Sequence, residues 1–174
     1  MTSLNIREIR PEEYPVLEDF LYNAIYIPLD EKFPSREVVF QPEIYIYVKD
    51  FGGKDDCGVV AEQDGKIIGA AWTRIIPAYG HIDSETPELA VSVLPEWRGK
   101  AVGNKLMEHL FELLRERGYR QTSLSVQKEN PAVRFYLRLG YKIVDRFKVD
   151  KLMIDKPINP STNQPTDYLM IKTL

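Results

Sequence analysis

Apolar residues recur along this chain with two alternating periods, and the alternation lays out its elements. Leu4-Asn5-Ile6-Arg7-Glu8-Ile9 reads as a short strand. Pro11 followed by Glu12 and Glu13 suits the opening of a helix, because proline fits the first turn and carboxylates complement its dipole. Leu17, Phe20, Leu21, Ala24 and Ile25 then repeat at helical spacing up to Pro28, so a helix over roughly 11–27 is predicted. From Ile27 to Gln41 the prolines 28 and 34 indicate loop. Residues 42–51 fit two patterns: Ile44, Ile46 and Val48 alternate as in a strand, whereas Ile44, Tyr47, Val48 and Phe51 have helical spacing. Helix is preferred, since Pro42 suits a start and Gly52-Gly53 an end.

From Cys57 the period becomes two. Gly58 to Glu62 and Ile67 to Ile76 flank Asp64-Gly65, a hairpin signal. A polar connection from Pro77 to Pro87 leads to a strand at Leu89–Leu94. A helix from about Ala101 to Arg117 follows, with Val102, Leu106, Leu110, Leu113 and Leu114 on one face and Gly118 as its stop. Strand 121–126, helix 131–139 closed by Gly140, strand 141–149, a loop marked by Pro157, Pro160 and Pro165, and a last strand at Tyr168–Ile171 complete the order. The expected architecture is one mixed α/β domain over residues 1–174, without repeats or low-complexity tracts.

Composition narrows the function. With 44% hydrophobic and 28% charged residues, disorder, collagen and coiled coil are excluded. The 23 Lys and Arg against 26 Asp and Glu leave a net charge of −3, so no general cationic field exists to hold a nucleic acid. Charge at Arg7 and Glu8 interrupts any signal-peptide core, and no stretch approaches the ~20 apolar residues of a membrane helix, so a cytoplasmic location is expected. Cys57 is the single cysteine, which leaves no internal disulfide or thiolate metal cage, and no metal is expected.

The segment Leu94 to Met107 lies between a strand and an amphipathic helix. Such a turn presents unpaired N–H groups at the positive end of a helix dipole, which suits a phosphate or pyrophosphate. Gly99 and Gly103 permit close approach, and Arg98, Lys100 and Lys105 add charge. Neither the nucleotide-hydrolase loop nor the dinucleotide fingerprint is present. On spacing alone, a glycine-bearing turn that simply starts a helix fits equally well.

A second segment decides between these readings. Val91-Ser92-Val93-Leu94-Pro95-Glu96-Trp97-Arg98-Gly99-Lys100-Ala101-Val102-Gly103, together with the later run Asn130-Pro131-Ala132, Phe135-Tyr136 and Leu139-Gly140-Tyr141, closely resembles the GCN5-related N-acetyltransferase superfamily. The resemblance covers about 89–144 and, through element order, most of the chain. It implies that family's fold, a central twisted mixed sheet with helices on both faces, and acetyl-CoA as co-substrate. It also implies direct acetyl transfer to a small-molecule or peptide amine through a tetrahedral intermediate, without nucleic acid or membrane as partner, and is compatible with a homodimer. Where the family loop reads Arg/Gln-x-x-Gly-x-Gly/Ala, this chain has Ala101 in place of the first glycine. The added methyl narrows a pyrophosphate cradle or forbids positive φ, although alanine is acceptable at a first helical residue.

The resemblance further implies that the strands near 88–94 and 121–126 splay. The backbone of Val91, Ser92 and Val93 would then hold the pantetheine arm, an N–H near Val93 or Leu94 would face the thioester oxygen as an oxyanion donor, and the turn Arg98, Gly99, Lys100, Ala101, Val102, Gly103, Asn104 and Lys105 would hold the pyrophosphate. Asn130 would bond the arm, and as a bare residue it is also an N-cap candidate. Tyr136 occupies the family's general-acid position, its phenol able to protonate a departing thiolate; on its pattern alone it packs against the sheet with Leu137 and Leu139. An amine attacker arrives mostly protonated, so a base is needed. Alternation places Glu88, Ala90 and Ser92 on one face, and partial burial of Glu88 would raise its pKa toward the useful range, which makes it the first candidate base. A solvated strand-end carboxylate is the alternative, with Asp83, Glu85 and His81 behind it. His109 flanks an apolar stripe and is expected to pack. By residue type Tyr22, Tyr26 and Phe33 suit core or interface packing, yet they sit in the first helix and following loop, where this family usually builds its acceptor pocket. The rival function is a CoA-binding regulatory module of the same fold, weak in catalysis.

Overall fold

The protein is seen in a computed structural model that describes residues 3–145, 158–159 and 164–174. Its strands and helices in chain order are β1 (Asn5–Glu8), α1 (Leu17–Ala24), α2 (Pro42–Tyr45), β2 (Cys57–Gln63), β3 (Lys66–Arg74), β4 (Glu88–Val93), α3 (Val102–Glu116), β5 (Gln121–Gln127), α4 (Ala132–Arg138), β6 (Lys142–Val144), β7 (Ile158–Asn159), β8 (Gln164–Pro165) and β9 (Asp167–Thr173). Seven strands form one sheet in the order β1-β2-β3-β4-β5-β9-β6, and β7 pairs with β8 separately. Among the described residues β4 and β5 are the one parallel pair of neighbours; the other pairs of the large sheet are antiparallel.

Local chemistry explains these elements. At the tip of the β2–β3 hairpin, Asp64 and Gly65 take φ of 54° and 78°, the two left-handed residues of a turn whose twist matches that of its strands. Helix α3 follows the predicted stripe closely. Leu106, Met107, Leu110 and Leu114 are fully buried against Val59, Ala61, Leu124 and Met170, and each such side chain contributes about 1.5–3 kcal/mol. On the opposite face, Leu17, Phe20 and Leu21 of α1 pack on Val60, Ala70 and Trp72. Consecutive residues of β2 thus serve opposite layers, so the sheet is covered on both faces, as expected.

Three expected elements differ. The predicted 11–27 helix is a 3₁₀ turn over Pro11–Val16 followed by α1, because Pro15 lacks the N–H needed to continue an α ladder, and the chain becomes extended at Ile25. The predicted 42–51 helix stops at Tyr45. There Arg74 takes the carbonyls of Ile46 and Lys49 at 2.9 and 2.6 Å, and the chain turns through Asp50 and Gly52, both at positive φ. The stretch around Pro157 to Pro165, read as loop, holds the short β7–β8 ladder. Of the expected strand 141–149, β6 accounts for 142–144 and residues from 146 lie outside those described. Among the described residues no helix is long and apolar enough to cross a membrane.

The entry into α1 is fixed by charge. Glu13 accepts from the Arg10 N–H at 2.9 Å and pairs with Arg7, which also reaches Glu62 on β2 at 2.6 Å. The Arg7 guanidinium holds the Glu13 carboxyl at about 2, below its ordinary value near 4.5. A carboxylate depressed in the folded state stabilises above its unfolded pKa, and that stabilisation is lost as pH falls through the folded value. The urea midpoint of the wild type should therefore drop between pH 5 and pH 2 more steeply than that of Glu13→Gln. Parallel acid limbs would show that the pair adds nothing.

Candidate active site

The site begins where two strands part. The parallel ladder of β4 and β5 holds at one residue pair, Glu88 opposite Ser123. It is pinned by the Pro87 carbonyl, which accepts from the Ser123 N–H at 3.0 Å and from the Thr122 hydroxyl at 2.8 Å. Beyond that point β4 stays with β3 and all seven residues of β5 stay with β9. Leu94 N–H donates to Ile68 at 2.9 Å, so alternation turns the main chain of Val91 and Val93 away from β3, toward the gap. Of the two expected oxyanion donors, Leu94 is therefore engaged and Val93 faces the opening. Ser92 lies opposite Ala70, and its hydroxyl is buried on the α1 side rather than at the gap. The opening is a cavity of about 460 Å³, walled by Leu89 to Val91, Ser125 to Gln127, the end of α1, and Tyr47, Tyr79 and Tyr136.

The expected phosphate turn follows β4, and none of its residues lines the cavity. Gly99 has φ +73° with open space beside it, and Ala101, the N-cap of α3, has φ +65°. Ala101 is thus not the first helical residue: it carries the left-handed conformation that the family's glycine would adopt freely. The first helical bond runs from Lys105 N–H to the Ala101 carbonyl at 3.2 Å, and the N–H groups of Val102, Gly103 and Asn104 precede it. A Cβ on Gly103 would come within 3.3 Å of the Phe135 ring, so that glycine admits a side chain of α4. Val102 is buried, while Asn104 and Lys105 are exposed. Lys100 sits over the Trp97 ring, 5.0 Å from its centroid. Arg98 is exposed and folds back along the surface: it donates to the Val93 carbonyl at 2.9 Å and to the Asn23 carbonyl at 3.1 Å, clasping the end of β4 to the end of α1.

Tyr136 and Asn130 both line the cavity. The Asn130 side chain accepts from Ala132 N–H at 2.9 Å, the capping role its position suggested. Tyr136 meets Tyr141 edge-on at 5.8 Å, and burial pushes its phenol up to about 12. Leu137, a packing neighbour in the alternative reading, is exposed.

Glu88 is 2% exposed, buried rather than partly so, and its carboxylate accepts from the Tyr47 hydroxyl. Gly80 covers it so closely that an added Cβ would lie 2.8 Å from the carboxyl group. Asp83 and Glu85 are exposed in a local turn and His81 is half-buried; none of the three lines the cavity. Tyr47 is the residue the sequence left unassigned, since the 42–51 ambiguity concealed which way it faces. Tyr26 lines the cavity as expected, but Tyr22 donates to the Pro34 carbonyl at 2.7 Å and Phe33 is 76% exposed, so neither joins it. His109, expected to pack, is exposed, because it falls one position off the buried stripe.

Two substitutions test this geometry. Ala101→Gly removes an alanine from a conformation that costs it about 1–2 kcal/mol, offset by about 0.4–1 kcal/mol of added unfolded-state freedom. Its melting temperature should rise by roughly 2–4 °C, and a fall would show that the turn does not need the left-handed residue. Gly80→Ala should cost about 1–3 kcal/mol in a denaturant titration by pressing on the Glu88 carboxyl; an unchanged midpoint would show that the covering loop simply lifts.

The acetyltransferase (GNAT) family model matches residues 11–141. A mycothiol acetyltransferase of Thermomonospora curvata is 33% identical over 99 residues, 56% of this chain and 31% of that protein, and one from an Arthrobacter species is 30% identical over 84 residues, 48% and 26%. The chain thus spans about a quarter to a third of these curated relatives. In fold it is similar to the PaiA N-acetyltransferase of Thermoplasma acidophilum solved with coenzyme A, with a TM-score of 0.65, 20% identity, and coverage of 99% of this chain and 100% of that one. The seven-stranded mixed sheet, the parted β4 and β5, and a family match over three quarters of its length together establish that the chain belongs to the GNAT acetyltransferase family.

Proposed function

We propose that the chain acts as one unit as an acetyl-CoA-dependent N-acetyltransferase of the cytoplasm, passing the acetyl group directly to a primary amine of a small molecule or peptide. The observation that carries this reading is the cavity between β4 and β5, with a phenol on the Tyr136 wall and a buried carboxylate behind the Tyr47 wall.

The residues fit the co-substrate. Val91 and Val93 turn main-chain groups toward the gap, where an extended arm with amides can pair with them. The first turn of α3 supplies N–H groups and a dipole end for a pyrophosphate, with Lys100 and Lys105 beside it. Arg98 makes its clasp with two neutral carbonyls, which leave its positive charge in place beside those of the two lysines. Asn130 keeps its amide nitrogen for a ligand while its oxygen caps α4. Acyl transfer builds negative charge on the thioester oxygen, and a main-chain N–H such as that of Val93, fixed on a strand, stabilises it without reorganisation.

Tyr136 then serves the leaving sulfur. With its phenol at about 12, it is always protonated at neutral pH. Giving that proton to a thiolate of ordinary pKa near 8.5 would be uphill by roughly 5 kcal/mol. A thiolate forming in the same enclosed space is itself desolvated, which raises its pKa and narrows the gap. Transfer therefore belongs to the collapse of the tetrahedral intermediate, when the sulfur first carries charge.

Coenzyme A should protect the protein thermally, by an increment growing as RT ln(1+[L]/Kd). An amine screen with acetyl-CoA should release free thiol above hydrolysis. With the acceptor so found, Tyr136→Phe should lower kcat by ~10²-fold with little change in coenzyme A affinity. Protection without turnover on any amine would favour a regulatory coenzyme A binder, and no protection at millimolar coenzyme A would remove both readings.

A further inference from the structure

We infer that Tyr47 is a catalytic residue, the phenol through which the acceptor ammonium loses a proton to Glu88. The inference rests on the acetyltransferase reading above. Its basis is that Tyr47 touches both sides: it lines the cavity, and its hydroxyl donates to the Glu88 carboxylate, whereas Glu88 is not among the cavity-lining residues and is 2% exposed. An amine in the cavity meets the phenol, not the acid.

Tyr47 is built to stay where it is. Its carbonyl accepts from the Trp72 indole N–H at 2.9 Å. The carbonyls on either side of it, Ile46 and Lys49, are held by Arg74, whose guanidinium is bound in turn by both oxygens of Asp56 at 3.0 and 3.1 Å. Arg74 stands opposite Glu88 in the β3–β4 register, so neighbouring residues on one face of the sheet fix the donor and the acceptor of the same hydrogen bond. Arg74 and Asp56 are positioning residues: they touch no reacting atom. The ionisable and charged groups around the carboxylate are Tyr47 from the turn after α2, Tyr79 from the β3–β4 connection and Arg74 from β3; Ser123 faces it from β5, and the charges of Glu43 and Asp167 are felt at Tyr79.

Burial and the Glu88 charge raise the Tyr47 phenol well above its ordinary value, opposed in part by a hydrogen bond with the Tyr79 backbone. It is therefore not a phenolate at rest and passes a proton only by gaining one as it gives one. The ammonium N–H bond breaks and its electron pair stays on nitrogen as the attacking lone pair, while an O–H bond forms on the Tyr47 oxygen. The original Tyr47 O–H bond breaks and an O–H bond forms on Glu88 Oε2. The amine attacks, the C–N bond forms and the C–S bond breaks. The second nitrogen proton replaces the one Tyr136 gives to sulfur. The proton on Glu88 returns through Tyr47 to water as the product leaves, and is the single proton the overall reaction releases.

The test compares two probe amines with acetyl-CoA, benzylamine, which is a cation at pH 7, and hydroxylamine, which is not. Tyr47→Phe keeps the ring and the Trp72 contact. It should lower kcat/KM for benzylamine at pH 7 by ~10²-fold, recover most of that loss toward pH 10, and lose at least about tenfold less on hydroxylamine. Tyr47→Phe/Glu88→Gln should be no slower than the slower single variant, because the two act as a unit. Retained thermal protection by coenzyme A certifies the fold of each variant. A wild-type pH profile in Tyr47→Phe, equal losses on both amines, or multiplying losses in the double variant would overturn the relay and leave the acetyltransferase reading standing. Failure of the wild type on both probes would overturn the relay as drawn; if the wider amine screen also failed, the acetyltransferase reading would fall with it.

Discussion

Parallel strands that separate after one paired residue must leave main-chain donors and acceptors facing open space, and that demand organises this molecule. Between β4 and β5 the ladder ends at Glu88 and Ser123. Each strand is paired on its outer edge, β4 by β3 and β5 by β9, and the inner peptide groups, apart from the Val93 carbonyl that Arg98 holds, face the gap where a guest with amides of its own can meet them. The helices matter by where they stand around this opening. Helix α3 begins just beyond the end of β4, α1 and the turn after α2 form one wall, and α4 brings Tyr136 to the other.

The two walls have opposite physical characters. On the α4 side the polar group is a neutral phenol whose pKa burial pushes up further. On the α1 and α2 side a carboxylate is sunk beneath Gly80 and reached by Tyr47. A tyrosine stands on each side, and what sets the walls apart is the glutamate that backs only one of them.

Much of the fold was legible because its signals are local. Asp64-Gly65 requires two left-handed residues and gets them, and the α3 stripe is amphipathic over 15 residues. The motif around Tyr136 points to a residue that lines the cavity, while the one around Arg98 points to a turn that follows β4 and lines none of it. What was not legible depends on distant partners or on a single dihedral. The helix at 42–51 ends at Tyr45 because Arg74, far along the chain, takes its carbonyls, and the orientation of Tyr47 follows from that. Ala101 was expected inside the helix, yet a shift of one position makes it the left-handed cap. Strand alternation put Glu88 on the correct face, but its full burial depends on the loop that lays Gly80 over it. Phe33 and Tyr22 belong to a connection whose path no periodicity records.

The clasp made by Arg98 has a thermodynamic consequence. One guanidinium holds the carbonyl of Val93, at the end of β4, and that of Asn23, near the end of α1. A molecule that shifts either carbonyl changes the energy of the other contact. Two molecules that each moved one of these carbonyls would therefore be coupled through a single side chain, and such coupling is reciprocal: whatever factor one applies to the affinity of the second, the second applies to the first.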